Sequence, residues 1–179
     1  ISSIEKNSFI SLETLIQLDL SNNCLFKLEE NLFQKLKKLQ FLNLNNNLIK
    51  FIGKNTIFGL NNLISLNLSN NLINSFEIKN QQILPNLSYL DLSNNFFLQK
   101  IDFENNSKLN TINLSNNLNL KESKSFQNLI NLKQIYLENL NPELVKKFKL
   151  ENLTKITHFF SSHLDLMDSS WISFFEKSR

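Results

Sequence analysis

One short segment is written six times along this chain. Residues 15–25 read LIQLDLSNNCL, and residues 39–49 read LQFLNLNNNLI. Residues 63–73 read LISLNLSNNLI, residues 87–97 LSYLDLSNNFF and residues 109–119 LNTINLSNNLN. A sixth copy, LKQIYLENLNP, starts at Leu132, so the starts are spaced by 24, 24, 24, 22 and 23 residues. A fixed period of this length means a stack of similar coils rather than a single globular core. The repeat also accounts for the composition. The chain holds about 35 Leu and 31 Asn but no Ala, where average chains are rich in Ala.

Inside each copy, apolar and polar residues alternate, as in Leu18-Asp19-Leu20 or Leu66-Asn67-Leu68. That is the signature of a short, half-buried strand. One copy alone cannot bury its apolar face, so the copies stack and their strands pair in parallel. After each strand comes an Asn, at Asn23, Asn47, Asn71, Asn95 and Asn117, where the chain must turn away from the sheet. An amide side chain both donates and accepts, so inside a tight turn it satisfies backbone groups otherwise left unpaired.

These segments follow LxxLxLxxNxL and resemble the leucine-rich repeat family. The resemblance covers residues 1 to 141, and its spacing matches the 24-residue "typical" class. It implies an α/β repeat solenoid: a horseshoe with a parallel concave sheet, a mostly irregular convex side and a continuous Asn ladder. Phe9, Phe33 and Phe126 resemble the stacked Phe of that class. Gln81 replaces that Phe in the third copy and Phe103 lies in a shortened fourth, so the convex side is expected to be irregular there.

The domain reading follows. Residues 1–141 form the array, with a truncated unit at 1–14 and copies starting at 15, 39, 63, 87, 109 and 132. Ile1 falls two-thirds of the way along a strand-and-turn segment whose beginning is missing, so a longer array is expected. Residues 142–179 form a capping segment. Leu150, Leu153, Ile156, Phe160 and Leu164 recur at steps of three and four, which suggests an amphipathic helix. Trp171, Phe174 and Phe175 add another apolar face over the open end of the stack. The alternative is a degenerate further repeat with Leu153 and Ile156 as its strand. That alternative places His158 at an inward Leu position, which counts against it.

Catalytic chemistry is hard to find. Two Gly leave no phosphate-cradling loop. His158 and His163 are the only histidines, and a five-residue step on a helix points them apart, so no metal is expected. Cys24 is the single cysteine and has no partner. No paired carboxylates stand out, and the reading is a non-enzyme with no cofactor. A net charge of +3 is close to neutral, and the clusters at Lys35, Lys37 and Lys38 and at Lys146, Lys147 and Lys149 are short, so nucleic acid is not the expected partner. No apolar run reaches the roughly 18 residues of a membrane-spanning helix.

What remains is a surface for binding protein. Residues between the Leu positions point away from the core, and in the family's fold they line the concave face. One column holds Gln17, Phe41, Ser65, Tyr89, Thr111 and Gln134. The next holds Asp19, Asn43, Asn67, Asp91, Asn113 and Tyr136. The leading column holds Ile16, Gln40, Ile64, Ser88, Asn110 and Lys133. Departures from the default Ser and Asn are the informative letters. Phe41, Tyr89 and Tyr136 are the anchor candidates, with Gln17, Asp19, Asp91 and Lys133 around them. Six strands at about 4.8 Å give a flat face of about 400–500 Å², against about 800 Å² per partner in a standard interface. This piece therefore supplies part of a binding surface.

Five N-x-S/T sequons occur, at Asn67, Asn86, Asn105, Asn113 and Asn152. Asn67 and Asn113 fall on the concave face, so Asn105, then Asn86 and Asn152, are the candidates for glycosylation in a secreted protein. The typical class is common in extracellular receptors and matrix proteins, which favours a receptor ectodomain or secreted adhesion protein. An intracellular scaffold is the alternative, favoured by the lone Cys and the missing cysteine-rich cap.

Overall fold

The computed structural model describes residues 1–53, 55–78, 83–103, 106–124, 126–150 and 153–162. Within them the chain is a solenoid with one coil per repeat. Its main sheet is all parallel and has seven strands: β1 (Gln17–Asp19), β2 (Phe41–Asn43), β3 (Ser65–Asn67), β5 (Tyr89–Asp91), β7 (Thr111–Asn113), β9 (Gln134–Tyr136) and β10 (His158–Phe160). The register is repeat on repeat. Leu18 pairs with Leu42, then Leu66, Leu90, Ile112, Ile135 and Phe159. That column points inward and is buried from Leu42 to Ile135. Leu15, Leu18 and Leu20 are only partly buried, because β1 is an edge strand with a neighbour on one side.

In the first five copies the strand of the main sheet ends in a turn built from two asparagines, and in the sixth Leu140 takes the second place. The first, at Asn22, Asn46, Asn70, Asn94, Asn116 and Asn139, has φ between 52 and 63°. This left-handed conformation costs other L residues about 1–2 kcal/mol, and Asn tolerates it through local side-chain hydrogen bonds. Asn thus stands where many proteins use Gly, which explains how a tightly coiled chain manages with so few glycines. The second Asn turns inward. Asn71 Nδ2 donates to the carbonyls of Leu44, Leu68 and Ser69 at 3.0–3.2 Å, and its Oδ1 accepts from Ile49 N–H at 3.0 Å. Asn47 and Asn95 repeat the pattern, and Asn117 donates to Leu92 and Leu114 and accepts from Asn95 N–H. Asn23 donates to Leu20 and Ser21 carbonyls and accepts from Ile1 N.

In the third to fifth copies the return limb carries a second parallel sheet: β4 (Ser75–Glu77), β6 (Lys100–Asp102) and β8 (Glu122–Ser123). Period-two alternation is again the cause. Phe76 and Ile101 point into the core, while Ser75, Glu77 and Lys100 face outward. Below them a row of rings runs from Phe76 to Phe103, Phe126 and Phe148, with centroids 6.1, 5.9 and 4.3 Å apart. Phe9 stacks on Phe33 at 6.0 Å. Gln81 lies outside the described residues.

The helix differs from its expected place. A six-residue helix, α1 (Pro142–Lys147), closes the sixth coil. Asn141 caps it by accepting from Glu143 N–H at 2.9 Å, and Leu144 and Val145 are buried. Leu150, Leu153 and Ile156 then run not along a helix but into the core of a seventh coil. Steps of three are shared by a helix face and by the inward positions of a coil, so the periodicity was ambiguous. The strand lies one step beyond Leu153 and Ile156, with Phe159 inward, so His158 points outward beside Gln134. The sheet of the array therefore extends past residue 141, to Phe160. Leu164, Trp171, Phe174 and Phe175, expected in the cap, lie outside the described residues.

Candidate binding face

The outward residues of the main sheet form two continuous columns with a fixed register. One runs Gln17, Phe41, Ser65, Tyr89, Thr111, Gln134 and His158; the other runs Asp19, Asn43, Asn67, Asp91, Asn113, Tyr136 and Phe160. The second column is partly committed to the fold. Asp19, Asn43, Asn67, Asp91 and Asn113 each accept a hydrogen bond from the backbone N–H two residues on, at 2.8–3.2 Å. These Asx turns lead the chain out of the strand and into the Asn turn. The Ser in LxLS adds to this, since Ser69 and Ser93 hydroxyls donate to Asn67 and Asp91.

The two aspartates therefore differ from free surface charges. Asp19 is exposed, yet hydrogen bonds from the Ser21 side chain and backbone, and from Asn43, hold its carboxyl below the usual carboxylate range. Asp91 is only 8% exposed. One oxygen accepts from Ser93, and the other accepts from the Tyr89 hydroxyl at 3.3 Å. Burial, the neighbouring Asp91 carboxylate and, further off, Tyr136 push the Tyr89 phenol up to about 12. Tyr89 is thus a hydroxyl held in place at the floor of the face, with its ring half-buried.

The apolar residues gather at two ends. On β1 to β3, Ile16, Phe41 and Ile64 are 49%, 40% and 38% exposed and lie on three adjacent coils. Phe41 is a candidate that the sequence already singled out by its place in the outward column. Ile16 and Ile64 lie in the leading column and became significant only once the register set them beside it. At the other end, Tyr136 and Phe160 stack face to face at 4.5 Å and 2°, with the His158 ring 6.4 Å from Phe160. Phe160 and His158 were missed because their strand looked like cap; the signal was ITHFFS in the LxxLxL register. Gln17 and Lys133 are exposed at the rim.

No metal centre joins these residues: among the described residues no group of three His, Cys, Asp or Glu could hold an ion. Cys24 is free and exposed. Among the sequons, Asn86 Nδ2, the atom a glycan would take, donates to the Asn61 carbonyl at 2.7 Å. Asn105 and Asn152 lie outside the described residues. No described helix is long and apolar enough to cross a membrane.

A family profile described as "Leucine rich repeat" matches residues 1–49 and 42–97. No curated protein matches the chain. Among solved structures, the chain is similar to the leucine-rich repeat domain of APL1B, with a TM-score of 0.63 and 20% identity over 90% of this chain and 61% of that one. It is similar to an internalin (inlF) from Listeria monocytogenes, at TM-score 0.52 and 20% identity, over 90% of this chain and 58% of that one. A Leptospira interrogans LRR protein, LIC12759, gives TM-score 0.57 and 25% identity over 88% of this chain and 40% of that one. The chain thus spans about three fifths, or less, of the solved chains it matches.

Proposed function

The chain belongs to the leucine-rich repeat family, and from that premise we propose that it is a non-enzymatic protein-binding module that takes its partner on the concave sheet. The observation that carries this reading is the arrangement of apolar and aromatic side chains on that sheet: Ile16, Phe41 and Ile64 at one end, Tyr136 and Phe160 at the other. Between them lies a polar floor of Asn, Ser and Thr whose side chains are largely occupied within the fold. Exposed aromatics framed by polar groups are the usual anchors of a protein interface. The seventh strand adds about 75–80 Å² to the face, which still falls short of about 800 Å² per partner. The partner therefore extends beyond this sheet.

The setting proposed is a receptor ectodomain or secreted adhesion protein, in keeping with the 24-residue class. An intracellular scaffold is the second reading, and the free, exposed Cys24 favours it, since unpaired thiols suit a reducing compartment. A paired experiment tests both. Affinity capture with the chain and with a Tyr89→Ala/Tyr136→Ala variant is compared by quantitative mass spectrometry, with circular dichroism checking the fold. Loss of specific partners from a folded variant supports the concave face, and undiminished capture refutes it. Localising the full gene product decides between the settings.

A further inference from the structure

The second sheet carries a feature separate from the concave face. Beside β6 and β8 lies a groove of about 480 Å³, within the range of small-ligand sites. Four lysines line it, Lys100, Lys121, Lys124 and Lys147, against two acids, Asp102 and Glu122. Lysines thus outnumber acids along the lining of this one concavity.

The charges are ordered by the sheet. Register places Lys100 beside Glu122, with Glu77 on its other side, at 3.9 and 3.5 Å. Lys124 pairs with Asp102 at 3.6 Å, and that carboxylate is only 2% exposed. These pairs hold two ammonium groups against the wall. Lys121, just before β8, and Lys147, in the last turn of α1, make no ion pair among the described residues. Ammonium groups gathered in a concavity raise the local potential, and an anion entering there relieves it.

We propose that this groove binds a small ligand carrying two or more phosphate or sulfate groups. Lysine is a compact point charge with three rotatable donors. A tetrahedral oxyanion presents enough acceptors to engage several such groups at once, which suits several lysines lining one groove better than a single carboxylate does. The groove is a half-open concavity of bounded volume, which suits a small molecule. Lys121 and Lys147 supply the charge the ligand neutralises; Lys100 and Lys124, already paired, set the walls.

The test is a titration of the chain with two probes, inorganic pyrophosphate and a sulfated heparin disaccharide, followed by calorimetry. Lys121→Gln/Lys147→Gln removes the two unpaired lysines, both exposed, so the fold should be unaffected by circular dichroism. Lys35→Gln/Lys38→Gln removes the same charge from exposed lysines elsewhere. Saturable one-to-one binding of either probe, weakened roughly tenfold or more in the groove variant but unchanged in the control, supports the site. The probe that binds tells phosphate from sulfate. No saturable binding of either, or equal weakening in both variants, overturns it.

Discussion

Two asparagines stand side by side in the turn of each of the first five copies, and their tasks differ. Asn70 and its counterparts supply a left-handed backbone; Asn71 and its counterparts fill the turn with hydrogen bonds. Asn71→Ala should leave the buried Ile49 N–H without its partner and take one of two donors from each of the Leu44, Leu68 and Ser69 carbonyls, lowering stability by roughly 1–3 kcal/mol in urea unfolding. Asn70→Ala should cost about 1 kcal/mol and Asn70→Gly almost nothing, because only the former meets the steric penalty of positive φ. Equal unfolding midpoints for all three would contradict this division. Tyr89 offers a different check. Its phenol titrates near 12 in the folded chain, above the value of about 10 for an unperturbed tyrosine. The stability it contributes is therefore complete below pH 10 and declines as pH rises from 10 through 12. Absorbance near 295 nm should show a late-titrating tyrosine that Tyr89→Phe removes, and that variant should lose less stability over the same interval. Asp19 acts in the opposite direction, since its lowered carboxyl stabilises at neutral pH and loses that contribution as acid protonates it.

At the level of elements, strands of three residues persist only because they pair with strands of adjacent coils. The last described coil makes this testable. Leu137 N–H donates to Phe160 O at 2.7 Å, and Phe159 occupies the inward position below Ile135. Phe159→Asp places a charge at that position and should release β10. The expected result is faster hydrogen exchange at Leu137, with little change at Leu68, four coils away. Exchange at Leu137 unaltered by the substitution would show that this segment contributes nothing to the stack. The second sheet obeys the same logic on a smaller scale: β4, β6 and β8 form where Phe76 and Ile101 turn inward, and among the described residues the return limb has no such strands in the first two copies.

Across the whole molecule, a solenoid's stability is a sum of coil and neighbour terms. Leu20 N–H and Leu68 N–H make hydrogen bonds of the same length, 2.8 Å, to Asn43 and Asp91 carbonyls. Leu20 is only partly buried, however, whereas Leu68 is fully buried in a central coil. Leu68 should therefore exchange far more slowly than Leu20, the difference reporting local opening from the edge. Identical rates would instead mean that all coils unfold as one unit. The same linear build keeps the concave face and the lysine groove on separate limbs of the coil, so ligands on the two need not compete.

The repeat by itself determined the solenoid, the inward Leu columns, the ladder positions and the outward columns. Each depends only on residues a fixed distance apart, so periodicity is sufficient to place them. Tertiary structure decided what periodicity leaves degenerate. Steps of three suit both a helix and a coil, so the neighbouring β9 was needed to make His158–Phe160 a strand. Stacking also decided which side chains share a surface, since Ile16, Phe41 and Ile64 are distant in sequence and adjacent only across three coils. The lysine groove belongs to the same class. Lys100, Lys121, Lys124 and Lys147 follow no common repeat position, and only packing of the return limbs against α1 brings them together.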